Sequence, residues 1–361
     1  MNRIKAIDGL RACAVLGVMW AHVWMFFGNP KMNLWKIDIN RILSFGGVGV
    51  DLFFVISGFC MYLMYEKKVN KFIWKSLGEF IIKRWKRIAP AFYVVVLVDC
   101  IIFFFYHHTF PFSDFISHLF FLNTFYNNHF LSPPYWSLST EWQFYLVLPF
   151  LFLFGSNNKR FNKTVFFLSV SNIVCLLLLY KLNTKELLDG KNIAHDKIWY
   201  RFIEFSWGIL CARIYINNFM LPFWLKGNVG FLLSFIIAFS GKLLGVQDIF
   251  IRFNQYAFIS RALSEPVLTF GYGLMILNLL NSESVFNVIL SSFPFQFIGR
   301  ISYSVYLWHW IIAAGISDFI IEHFSKNVIW MQITFFISLA VIIPVSYLSY
   351  HWLEAPYFKK R

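Results

Sequence analysis

Residues 7–28 read IDGLRACAVLGVMWAHVWMFFG. Their length and apolar character match the roughly 20 residues a helix needs to cross a bilayer. Inside this run stand one guanidinium, Arg11, and one imidazole, His22, and the stretch between them, Ala12 to Ala21, carries no charge. At about 100° of turn per residue, the step from 11 to 22 brings a helix back to almost the same face, and at the usual rise it separates the two groups by about 16 Å. An ionisable group inside a membrane span is expensive, so it faces a bundle interior or a watery cavity and has a task there.

The rest of the chain repeats the apolar pattern. Of 361 residues, 58% are hydrophobic and only 14% charged, and the mean hydropathy is +0.60. That composition excludes a soluble globular protein. Further runs near bilayer length occupy 46–65, 88–106, 136–155, 165–181, 198–214, 228–245, 264–281, 301–320 and 328–350. A transmembrane barrel would show short alternating segments instead. The predicted fold is therefore all-α, a polytopic integral membrane helical bundle with about ten transmembrane helices.

An even number of spans puts both termini on one side, and the Lys/Arg bias makes that side the cytoplasm. Arg3, Lys5, the cluster Lys67, Lys68, Lys71, Lys75, Lys83, Arg84, Lys86 and Arg87, then Lys159, Arg160, Lys163 and the terminal Lys359, Lys360 and Arg361 fall inside. His107 to Tyr135, without Lys or Arg, falls outside. One outer loop opposes the trend with Lys181, Lys185, Lys191 and Lys197, partly offset by Glu186, Asp189 and Asp196. The net charge of +14 reflects this bias and attraction to anionic membrane lipids. Its basic groups are scattered over short loops, which argues against a nucleic-acid partner.

Five cysteines, all within spans, read as small packing residues, without disulfide or metal-ligand spacing. The amino terminus imitates a signal peptide, but no small-x-small cleavage site follows, so it reads as a retained first span. No linker or appended soluble domain is visible, and one membrane domain over residues 1–361 is expected. The lack of a strong internal repeat weighs against inverted-repeat transporters.

Candidate chemistry collects at the helix ends. Span two opens Gly46-Gly47-Val48-Gly49-Val50-Asp51 and continues to Ser57 and Gly58. The glycines permit close helix approach. Asp51 is either solvated, a helix cap, or the partner that orients His22 and raises its basicity as a general base. Arg84 and Arg87 share a helix face before Pro90, as ordinary cytoplasmic anchors or as guanidinium forks for phosphate. Span four begins Trp136-Ser137-Leu138-Ser139-Thr140-Glu141. Trp136 suits an outer-interface anchor, whereas Glu141, deeper on the face of Ser137, must be paired or protonated. In span six, Glu204 can pair with Arg201. His309 in span nine reads as a packed, hydrogen-bonded histidine, and the outer His107, His108, His118 and His129 lack zinc spacing, so no metal is assigned.

Together these fragments resemble a known family. Arg-x10-His, Gly-Gly-x-Gly-Val-Asp-x-Phe-Phe-x-x-Ser-Gly-Phe, Arg-x-x-Arg, Trp-Ser-Leu-x-x-Glu-x-x-Phe-Tyr and Ile-Ser-Tyr-Ser-x-Tyr-Leu-Trp-His follow one another across Ile4 to Tyr357. Their order is similar to that of the acyltransferase-3 family of integral membrane acyltransferases. The resemblance implies a ten-helix bundle of the bacterial inner membrane. It also implies transfer of an acyl, usually acetyl, group from cytoplasmic acyl-coenzyme A (acetyl-CoA as donor substrate) to a sugar hydroxyl. The acceptor would be a surface glycan such as lipopolysaccharide O-antigen or exopolysaccharide, or its lipid-linked precursor. Some relatives add an outer hydrolase-like domain; without one in view, the whole transfer is expected of this chain. In this frame His22, Asp51 and Glu141 are the catalytic candidates, Arg11, Arg84 and Arg87 bind the donor, and Ser57, Trp136, Ser137, Tyr303 and His309 support them. His22 acts either as general base or as transient acyl carrier. The competing class is a proton-coupled transporter using the same intramembrane His and carboxylate groups.

Overall fold

A computed structural model of the chain describes residues 4–34, 37–38, 44–66, 74–125, 131–154, 158–183, 196–245 and 257–357. The basic cluster Lys67, Lys68 and Lys71 and the outer Lys185 and Lys191 lie outside the described residues.

Every expected span is helical. In chain order the helices are α1 (Lys5–Phe26), α2 (Gly49–Glu66, preceded by a 3-10 turn over Ser44–Val48), α3 (Trp74–His107), the short α4 (Phe112–Leu119), α5 (Trp136–Phe154), α6 (Asn158–Leu182), α7 (Ile198–Ile216), α8 (Gly227–Leu244), α9 (Ala257–Asn281), the short α10 (Val285–Leu290), α11 (Phe293–His323) and α12 (Val328–Ser349). A two-residue antiparallel ladder, β1 (Asn33–Leu34) with β2 (Ile37–Asp38), follows α1. The molecule is thus an all-α polytopic membrane bundle. Exposed aromatics such as Phe105, Phe166 and Phe167 on its long helices are what a lipid-facing surface requires.

Among the described residues, eight helices are long and apolar enough to cross a membrane. The two expected spans that fall short by composition are α5 and α7. The first half of α5 carries Ser137, Ser139, Thr140, Glu141 and Gln143, and α7 carries Arg201, Glu204 and Arg213. Polar load, not length, lowers their hydropathy, and these are the helices that bear candidate site residues.

Four helix starts differ from expectation. Helix α3 begins fourteen residues before the expected 88, so Arg84 and Arg87 lie well inside it, and Pro90 does not close it. α5, α9 and α12 likewise run through Pro149, Pro266 and Pro344. In a bilayer the alternative to a helix is an unsatisfied backbone, so one missing N–H is tolerated. α6, α9 and α11 also start earlier than predicted, at Asn158, Ala257 and Phe293.

The chain folds as two compact units. Unit 1 holds Met1–Val50, Glu79–Ser139 and Leu290–Arg361; unit 2 holds Asp51–Gly78 and Thr140–Ile289. In unit 1, α1 packs along α11, which packs along α12. The first glycine of span two has a definite use there: a Cβ on Gly46 would collide with the backbone of Gly17, so the 3-10 turn can lie directly on α1. In unit 2, α9 packs against α6, α7 and α8.

Candidate active site

The end of α1 is set by its own backbone. Asn29 N–H donates to the Trp24 carbonyl and Gly28 N–H to that of Met25, both at 2.9 Å, with Gly28 at φ +76°. This reversed pair with a left-handed glycine is a Schellman stop. It fixes the last turn of α1, and His22 lies directly before that turn.

His22 is half-buried. Its Nδ1 lies 2.9 Å from Nε2 of His309 on α11. The two ring planes are tilted by only 15°, with centroids 5.1 Å apart. Rings stacked face to face would not bring those nitrogens to that distance at that centroid spacing, so the rings meet edge to edge, as an in-plane hydrogen bond requires. Trp310 packs edge-on against the His22 ring at 4.9 Å. His309 is fully buried, and its Nδ1 donates to the Tyr306 carbonyl at 2.5 Å. The Tyr306 hydroxyl donates to the Pro134 carbonyl at 2.9 Å and lies 2.7 Å from Ser137 Oγ. A continuous bonded path thus runs from the turn before α5 through Tyr306 and His309 to His22, all within unit 1. Half-buried Trp136 follows that turn.

The expected donor-binding arginines belong to the same unit but differ among themselves. Arg11 is half-buried and 3.8 Å from Asp8. Arg84 is only 5% exposed, with its guanidinium 5.5 Å over the Phe80 ring. Arg87 is half-buried, and its charge acts on the buried carboxylate of Glu354, which accepts a hydrogen bond from Ser304. Tyr303 ties α11 to this stretch of α3 by donating to the Ile88 carbonyl at 2.8 Å. Of the two expected forks, Arg87 is the accessible one.

The remaining candidates lie in unit 2. Ser57 Oγ and Tyr145 OH both donate to Oε1 of Glu141, at 2.7 and 2.5 Å, and lie 3.1 Å from each other. One carboxylate oxygen of the half-buried Glu141 is thereby fixed. Asp51 accepts from Arg201 at 2.9 Å, and Arg201 also holds Glu204 at 2.6 Å. Within unit 1 His22 bonds His309, and within unit 2 Asp51 bonds Arg201. Packing supplies the reason on the aspartate side. α2 and α7 run parallel and very close, since a Cβ on Gly58 would strike the Phe205 backbone and one on Gly208 the Val55 backbone. Asp51 and Arg201 each precede their glycine by two turns, so the crossing that the glycines allow aligns the ion pair.

Sequence reasoning foresaw the Arg201–Glu204 pair but missed Tyr145, which the four-residue step from Glu141 signals. It also missed the role of Tyr306. Nothing local could announce the His22–His309 contact, 287 residues apart in the chain.

Comparison with known proteins matches the sequence to a family. The acyltransferase-domain family matches residues 4–351, a span that takes in unit 2 and most of unit 1. The chain is 27% identical to the peptidoglycan O-acetyltransferase OatA of Listeria monocytogenes, with 98% of this chain and 55% of the relative covered. It is 26% identical to the O-acetyltransferase OatA of Staphylococcus aureus strain NCTC 8325, with 99% and 57% covered. It thus spans little more than half the length of these relatives. No solved structure matches. With the ordered motifs, the helical bundle and a match over nearly its whole length, the chain belongs to the acyltransferase-3 family of membrane acyltransferases.

Proposed function

We propose that this chain is a membrane O-acyltransferase that moves an acetyl group from cytoplasmic acetyl-coenzyme A to a hydroxyl of an extracytoplasmic saccharide, across a bacterial cytoplasmic membrane. The observation that carries this reading is His22, an imidazole hydrogen-bonded on one side, half-buried, and on the same face of α1 as Arg11. The separation of about 16 Å between the two is similar to an extended pantetheine arm, which lets the donor's phosphates meet Arg11 and Arg87 while its thioester reaches toward His22. The relatives' names add peptidoglycan to the acceptors expected from the motifs, lipopolysaccharide O-antigen and exopolysaccharide.

The transfer balances with one base. His22 takes the proton of the acceptor hydroxyl as its oxygen bonds to the thioester carbonyl carbon. The carbon–sulfur bond then breaks, and the imidazolium returns the proton to the departing thiolate. The test is His22→Gln in the full-length protein, followed by thiol release from acetyl-CoA with and without saccharide. General-base assistance is worth about 100- to 10,000-fold, so transfer is lost while donor binding persists. A variant that keeps a tenth or more of wild-type turnover refutes the role of His22.

A further inference from the structure

We infer that His309 fixes the tautomer of His22 so that the lone pair of Nε2, and not that of Nδ1, does the chemistry. This inference rests on the reading of His22 as the base. A carbonyl can only accept, so the Tyr306 oxygen requires a hydrogen on His309 Nδ1. His309 is fully buried, and its bonded partners among the described residues are Tyr306 and His22 alone. A second proton would bury a positive charge with no carboxylate bonded to it, which is costly. His309 is therefore neutral, and its Nε2 holds a lone pair.

That lone pair must accept, so the hydrogen between the rings belongs to His22 Nδ1. Neutral His22 then has its own lone pair on Nε2, at the far side of the ring from His309. The in-plane geometry, 2.9 Å between nitrogens with a 15° tilt, suits this bond. The Tyr306 phenol, held at Pro134, keeps the turn that presents the carbonyl in place. The path from Pro134 to His22 thus sets which nitrogen is basic.

The arrangement also suits a proton that must be taken and given back. When Nε2 is protonated, the Nδ1–H···Nε2 bond becomes charge-assisted and stabilises the imidazolium. Because the orienting group is a neutral imidazole and not a carboxylate, the imidazolium is not neutralised, and it can pass its proton to the thiolate. His309 is a positioning residue in this scheme.

Two substitutions separate positioning from packing. His309→Gln puts an amide oxygen near the place of Nε2 and keeps an acceptor for His22. His309→Asn keeps a donor for the Tyr306 carbonyl but leaves His22 Nδ1–H without an acceptor. Thiol release from acetyl-CoA by the full-length protein should fall about 10- to 100-fold in kcat for His309→Asn, the scale of losing an orienting partner, with the donor KM unchanged and with His309→Gln clearly more active. A packing role predicts the reverse order, because Asn preserves the Tyr306 bond. Nitrogen-15 NMR of histidine-labelled wild-type protein in bilayers gives a readout that does not depend on activity, with the His22 signals identified by their loss in His22→Gln. A proton on His22 Nδ1 is expected; a proton on Nε2, or His309→Asn matching His309→Gln, overturns the inference. Should the wild type release no thiol at all, the acyl-transfer reading fails, and the NMR result still decides the tautomer.

Discussion

Replacing Arg201 with methionine removes the guanidinium that two buried carboxylates share. The Arg201 side chain is 10% exposed, Asp51 9% and Glu204 0%, so neither acid can turn to water when the guanidinium goes. Breaking a buried ion pair by deleting one partner costs about 3–5 kcal/mol, or about two to nearly four powers of ten in the folding equilibrium at about 1.4 kcal/mol each. Arg201→Lys should cost less, about 1.5–3 kcal/mol, because one ammonium keeps the charge but cannot fork to both acids. The triple variant Asp51→Asn, Arg201→Met, Glu204→Gln should recover most of the loss, since none of the three positions then carries a buried, unpaired charge. Equilibrium unfolding of the full-length protein in mixed micelles measures the series. A loss below about 1 kcal/mol for Arg201→Met, or a triple variant no more stable than the single one, refutes the view that this pairing binds α2 to α7. The triple variant has a second use: folded but inactive, it would return Asp51 or Glu204 to the chemistry.

Arg87→Ala should raise the donor KM more than it lowers kcat, because a phosphate contact made in the ground state persists in the transition state; wild-type donor affinity would reduce Arg87 to a membrane anchor. Arg84→Ala should instead lower thermal stability, since the side chain is buried against Phe80, and a wild-type melting temperature would contradict that packing. A cysteine introduced at position 75 should react with impermeant maleimide only from the cytoplasm and one at position 128 only from outside, and the opposite pattern would reverse the membrane orientation and the donor side together.

The helices were legible because a membrane span leaves the backbone few alternatives. Runs of apolar residues near 20 in length located the ten long helices among the described residues, though not their ends. The start of α3 at Trp74 was hidden because a basic run such as Lys83, Arg84, Lys86 and Arg87 marks the edge of an apolar span whether or not the helix continues past it. Short α4, with Asp114, Ser117 and His118 buried and Phe112 and Ile116 exposed, inverts the polarity expected of a surface helix and carries no span-like run. Partners were less legible than helices. Glu204 could be paired with Arg201 because three residues separate them on one helix. The contacts of Asp51 with Arg201 and of His22 with His309 depend on which helices adjoin, and one sequence read alone does not encode that at any fixed spacing.

Hydropathy and chemistry pull α5 and α7 in opposite directions, and α2 resolves the conflict. Each of the two polar helices would be a poor span alone, carrying Glu141 in one case and Arg201 with Glu204 in the other. Helix α2 supplies a partner to both: Ser57 donates to Glu141 and Asp51 accepts from Arg201. These two positions are six residues apart, so on a 3.6-residue helix they point in directions that differ by about 120° in magnitude. One helix can therefore serve a neighbour on each of two sides. Gly58, beside Ser57, is the position at which α2 and α7 come close enough for this. A polar group in a bilayer is tolerable when the helix beside it carries its complement at the same depth. The GVDLFF and ISGF segments of span two are thus one device, in which a carboxylate, a hydroxyl and a glycine at fixed intervals allow two otherwise unsuitable helices to carry their charges into the membrane.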